Sequence, residues 1–166
     1  DIMQCMLHAL QSHKIDQSVK PRMLENLGDV ATAIGGEFEK FLATACTMLD
    51  QAAKVAADVY PAGTVRPAED EQTFEYMNEL RCSILDAYTG ILNGMGDAGQ
   101  AKVQTMDPFV PGLLQVLQGV ESAMSDGRSL ESHAEVLEKA VGVLGDTAKF
   151  LPSTVKKYGL SDPAML

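Results

Sequence analysis

Leu27-Gly28-Asp29-Val30-Ala31 stands late in one apolar-periodic stretch, and Leu144-Gly145-Asp146-Thr147-Ala148 repeats its pattern late in another. Glycine inside a helix costs about 1 kcal/mol relative to alanine. Its recurrence beside the same Leu and Asp therefore reads as a step where helices approach closely, with the flanking apolar residues facing a pair's core. Around the first copy, Val19, Met23, Leu24, Leu27, Val30, Ala31 and Ile34 recur at helical spacing. Ser18 is the expected cap, Pro21 falls in the tolerant first turn, and Gly35-Gly36 stops the helix.

The same periodicity extends outward in both directions. Ile2, Met3, Met6, Leu7 and Leu10 mark a first helix, and His13 to Gln17 a turn. Phe38, Phe41, Leu42, Ala45, Cys46, Leu49 and Ala53 mark a third. Tyr60-Pro-Ala-Gly-Thr-Val-Arg-Pro67 reads as a loop. A fourth helix starts near Glu71, carries Phe74, Met77, Leu80, Ile84, Leu85, Tyr88 and Ile91, and is expected to end across Gly94 to Gly99. Asp107-Pro108 offers an N-cap with Pro at the first helical position for a fifth, and Asp126-Gly127 breaks it. The sixth runs through Leu130, Leu137, Val141, Leu144 and Ala148 to Pro152. No segment alternates long enough for a strand. Six helices in three antiparallel pairs make an all-α chain, either a bundle or a solenoid, and repetition of the unit favours the solenoid.

The 166 residues are close to one ordinary domain, with 46% hydrophobic and 22% charged residues, enough to bury a core. A net charge of −10 argues against a nucleic-acid partner and favours a basic protein. No apolar run reaches the ~20 residues of a membrane span, and no signal-like segment opens the chain. It begins at Asp1, which suggests a piece of something longer. Cys5, Cys46 and Cys82 lie among apolar residues without a Cys-x-x-Cys pair, so they read as buried structural thiols in a reducing compartment. His8, His13 and His133 lack metal-ligand spacing. No phosphate loop or nucleophile signature appears, so no catalytic, cofactor or metal site is expected.

Asp16-Gln-Ser-Val-Lys-Pro21 through Leu27-Gly-Asp-Val-Ala-Thr-Ala-Ile-Gly-Gly-Glu-Phe38 resembles a HEAT repeat. Together with Tyr76-Met-Asn-Glu-Leu-Arg81 and Ala87-Tyr-Thr-Gly-Ile91, it resembles the C-terminal half of the importin-β family of nuclear import receptors. The close resemblance covers roughly residues 1 to 95. It implies an α-α superhelix, a HEAT-repeat solenoid of about three antiparallel helix pairs. The repeats are expected at 1–35 (A helix 1–12, B helix 18–34), at 36–95 with an extended loop over 57–70, and at 107–151, before a terminal segment at 152–166. It further implies outer A helices one, three and five, and inner B helices two, four and six on a concave face. The implied partners are the basic segment of the importin-α adaptor or basic cargo signals, nucleoporin Phe-Gly repeats, and Ran through an N-terminal half that this chain lacks. The implied location is cytoplasm and nucleus, at the nuclear pore.

The residues give that implication a site. Glu71, Glu75, Asn78, Glu79 and Asp86 recur at helical steps on the fourth helix. The sixth offers Glu131, Glu135, Glu138 and the second Glu25 and Asp29. Solvated helix faces are the plain alternative. On inner helices these carboxylates would instead form an acidic strip for Lys and Arg. Phe38, Phe41, Phe109 and Leu113 on outer helices could border a Phe-Gly pocket, although aromatics at this spacing are more often core. The rival functions are a HEAT-repeat scaffold in a cytosolic complex and a helical-bundle enzyme with a closed polar pocket.

Overall fold

The computed structural model describes residues 2–12, 14–57, 71–124 and 130–158. The helices are α1 (Ile2–Gln11), α2 (Lys20–Ile34), α3 (Glu39–Ala57), α4 (Glu71–Asp97), α5 (Gln100–Val103), α6 (Val110–Met124), α7 (Ala134–Phe150) and α8 (Pro152–Lys157). Short 3-10 turns cover Gln17–Val19, Gly35–Phe38, Gln104–Phe109 and Leu130–His133. No strand occurs among the described residues. The loop expected over 57–70 falls outside them apart from its first residue, Ala57, which closes α3, and so does the Asp126-Gly127 break.

Two layers result, as expected of an all-α solenoid. α4 lies between α2 and α7 in one layer, and α3 lies between α1 and α6 in the other, packed against α4. Helix α4 is the most deeply placed element: Leu80 to Leu85 are all buried, and Tyr88, Ile91, Leu92 and Met95 continue the core. Leu27 of α2 and Phe38 and Leu49 beside it complete the centre. α2, α4 and α7 run in the same direction, because residue numbers rise together across both seams: Gly28 meets Ala87 and Ala31 meets Gly94 on one side, and Asp86 meets Lys139 and Asn93 meets Asp146 on the other.

The α2–α4 seam is made of backbone. A Cβ on Gly28 would lie 2.8 Å from the Asp86 carbonyl oxygen, and a Cβ on Gly90 or Gly94 would collide with the backbone of Gly28 or Ala31. The Thr32 hydroxyl closes the seam by donating to Gly28 O at 3.0 Å and Gly90 O at 3.2 Å. Gly28 thus performs the close approach read from sequence. Gly145 does not: nothing lies within 4 Å of a Cβ built there, and Ala148 is exposed. Among the described residues no helix crosses that face of α7, so the repeated motif serves packing once.

Several boundaries differ from the sequence reading. Asp16, not Ser18, supplies the cap: its carboxylate accepts from the Ser18 backbone N–H at 2.9 Å and hydroxyl at 2.8 Å, which holds the carboxyl below its usual pKa. The turn Gln17–Val19 then leads into α2 with Pro21 in its first turn. The end of helix α4 agrees with that reading: it falls at Asp97, within the Gly94-to-Gly99 window, after burial against α2 and Phe150 has carried the helix past Gly94 and Gly96. Asp107-Pro108 sits within a 3-10 turn and α6 starts at Val110. Leu130 belongs to a 3-10 turn before α7. Cys46 and Cys82 are buried, but Cys5 is exposed.

Candidate ligand groove

The N-terminal halves of α2, α4 and α7 border an open groove of about 610 Å³. α2 and α7 both run parallel to α4, and residues three and four apart on each helix share a face, so each contributes to one wall. α4 supplies Glu71, Glu75, Asn78, Glu79 and Asp86, the start of α2 supplies Glu25, the turn before α7 supplies Glu131, and the first turn of α7 supplies Glu135. Eight of the ten residues singled out by sequence therefore meet at one place. Asp29 and Glu138 are not among the lining residues; both are exposed on their helices.

Seven carboxylates face two cations, Arg22 and Lys139, neither of which the sequence reading marked. Lys139 Nζ donates to both oxygens of Asp86, at 2.8 and 2.7 Å. Burial by itself would lower the Lys139 ammonium, but the Asp86 carboxylate outweighs it and holds the pKa above the ordinary lysine value. Asp86 is thus partnered within the chain. Among the described residues Glu25, Glu75, Glu79, Glu131 and Glu135 take part in no ion pair. Glu71 and Glu135 stand in first helical turns, where the positive end of the helix dipole favours a carboxylate.

The groove's floor is partly apolar. Phe74 is buried and meets His133 edge-on at 5.3 Å between ring centroids; that histidine is 2% exposed. Burial pushes the Cys82 thiol up to about 12, helped by Glu135, which keeps it protonated at neutral pH. Burial and Asp50 do the same to Cys46. Neither thiol has the electropositive setting of a nucleophile. Among the described residues no group of three His, Cys, Asp or Glu side chains is arranged to hold a metal, and no helix is long and apolar enough to cross a membrane.

A second, mostly apolar groove of about 300 Å³ opens where α1, α2, α3 and α4 meet, lined by Leu10, Lys20 and Leu24, by Met48 and Val55, and by Tyr76 and Leu80. Of the four residues considered for an outer apolar pocket, Phe38 and Leu113 are buried in the core and Phe41 and Phe109 are half-buried.

The family model described as "Importin subunit beta-1-like, TPR repeats" matches residues 1–164. The chain belongs to the importin-β family. The helix-pair units that the sequence suggested as HEAT repeats carry the tetratricopeptide label in that description; both names denote antiparallel helix pairs stacked in a row. Importin subunit beta-1 of Arabidopsis thaliana is 40% identical over 156 residues, covering 93% of this chain and 16% of that protein. Importin subunit beta-1 of Schizosaccharomyces pombe is 28% identical over 98% of this chain and 17% of the relative. The Saccharomyces cerevisiae importin subunit beta-1 is 24% identical over 95% of the chain. The chain thus spans about a sixth of the length of the curated relatives it matches.

Proposed function

We propose that this chain is a segment of a nuclear import receptor and that its acidic groove seats a basic transport signal or the basic segment of the importin-α adaptor. The observation that carries the reading is the convergence of carboxylates from three parallel helices on one groove. A basic segment there would make charge-assisted hydrogen bonds to Glu75, Glu79, Glu131 and Glu135, bidentate where it presents arginine. Phe74 and Val136 would take the aliphatic stems of the same side chains. The activity is binding, without chemistry on the ligand.

The second groove is the place where a nucleoporin Phe-Gly side chain would insert, since Leu10, Leu24, Met48 and Val55 give it mostly apolar walls. Ran would engage the longer receptor outside this segment. The receptor would work in cytoplasm and nucleus, passing through the nuclear pore.

The test is binding of the labelled adaptor segment to the full receptor by fluorescence anisotropy. Glu75→Lys with Glu79→Lys should weaken it about tenfold, as two attractive contacts become repulsive. Rising salt should weaken the unmodified complex as well. Asp97→Lys with Glu121→Lys, exposed and away from the groove, controls for net charge. Glu39 and Asp50 are poor controls, because Glu39 pairs with Lys102 and Asp50 accepts from the Tyr88 hydroxyl. Equal losses from groove and control variants would leave bulk charge as the cause and remove the groove site.

A further inference from the structure

We infer that Lys139 is the groove's own stand-in for a ligand cation, that it closes the Asp86 end, and that it confines a basic segment to the Glu71–Glu79 end. The inference rests on the groove being a seat for basic segments and adds where, within it, such a segment can lie. The Lys139 ammonium is held symmetrically by both Asp86 oxygens, and the two side chains are only 27% and 32% exposed. Both sit on helices packed together, so the pair spans the α4–α7 seam. The ammonium therefore occupies the position a ligand lysine would take on that carboxylate.

The consequence follows from exchange. A ligand cation that reached Asp86 would have to displace Lys139, losing one ion pair for each one formed and leaving a partly buried ammonium without its partner. At Glu75, Glu79 and Glu131, which make no ion pair among the described residues, a ligand cation displaces only water. Two neighbouring stretches of one groove are thus unequal in attraction. Lys139 is a specificity-determining residue that sets the length of the seat.

The experiment measures anisotropy of a labelled oligolysine peptide with the full receptor. Lys139→Gln releases Asp86 and should tighten binding about threefold to fivefold, with a steeper salt dependence. Asp86→Asn leaves the Lys139 ammonium facing the ligand and should weaken binding by a similar factor. The double variant Asp86→Asn/Lys139→Gln has the original net charge and should bind as the unmodified protein does. Lys54→Gln on α3 makes the same charge change away from the groove and should leave affinity unchanged. Tightening by Lys54→Gln equal to that by Lys139→Gln would overturn the inference in favour of bulk charge. Weaker binding by the double variant would overturn it by showing that the ligand uses Asp86 itself. No response to Lys139→Gln, alongside a loss with Glu75→Lys/Glu79→Lys, would overturn this inference and leave the groove reading standing. No loss with Glu75→Lys/Glu79→Lys would overturn the groove reading itself. Melting curves accompany each variant. Should Lys139→Gln not fold, the comparison of Asp86→Asn with the double variant decides the matter: recovered affinity on removal of the ammonium supports the inference, and equal affinity of the two overturns it.

Discussion

The two flanks of α4 are built on opposite principles. Toward α2, backbone meets backbone across Gly28, Gly90 and Gly94, with one threonine hydroxyl bridging two carbonyls. Toward α7, side chains meet: Lys139 with Asp86, the Asn93 amide donating to Asp146 at 3.1 Å, and Gly96 beneath the Phe150 ring. The first seam has no slack, because a main chain cannot rotate away from an added methyl group. The second is made of groups that can re-orient and re-pair. An array of helix pairs can thus hold one seam rigid and let the next carry both contacts and specificity.

Substitution should expose that contrast most strongly at the glycines. Gly94→Ala would drive a methyl into the Ala31 carbonyl and should destabilise the fold by about 3 kcal/mol, lowering the denaturant midpoint accordingly. Gly96→Ala meets only the edge of a side-chain ring and should cost about 1 kcal/mol, since Phe150 can shift where a backbone cannot. A Gly96 variant as damaging as the Gly94 one would erase the distinction between the seams. Gly145→Ala, the same change in the second copy of the motif, should raise stability by up to about 1 kcal/mol, because the site is helical and open.

The thiols sharpen the comparison chemically. Cys46 beneath α4 and Cys82 on its α7 side both have pKa values pushed up to about 12 by burial. At pH 8 iodoacetamide should therefore alkylate Cys5 in the folded protein and spare the other two, as read by peptide mass. Their thiolates would become appreciable only as pH approaches 12. Because a raised thiol pKa means that the folded state disfavours thiolate, these groups withdraw stability as pH rises from the unfolded thiol value of about 8.5 toward 12.

The difference between the seams also explains what could be read from the sequence. Apolar periodicity fixes which segments are helical and which residues turn inward, since Leu27, Leu49, Leu85 and Ile91 are all buried. The carboxylates of the groove are legible for the same reason, because residues three and four apart share a face. The motif Leu-Gly-Asp is legible as a glycine step but not as a contact. Whether a glycine is crossed depends on a partner that lies elsewhere in the chain, and only Gly28 has one. Gly90 and Gly94, four residues apart on one face, hold the true crossing; the helix end was legible in the glycines from Gly94 to Gly99, where α4 stops at Asp97, but the packing role of Gly94 was not. Lys139 was hidden differently. Its spacing from Glu135 suggests a pair within α7, yet its partner Asp86 lies fifty-three residues away in sequence. Cap identity turned on one hydrogen bond, from the Ser18 N–H to Asp16.

The shared hydroxyl of Thr32 gives the α2–α4 seam a mechanical meaning. With its two acceptors on different helices, any sliding or opening of the pair must break a hydrogen bond between them. The two helices therefore move as a single plate. Bending of the array is left to the α4–α7 line, where ammonium, carboxylate and amide can trade partners with solvent. Slow amide exchange along Gly90 to Gly94, with faster exchange on α7 near Asp146, would be the signature of a stiff plate joined to a compliant hinge line.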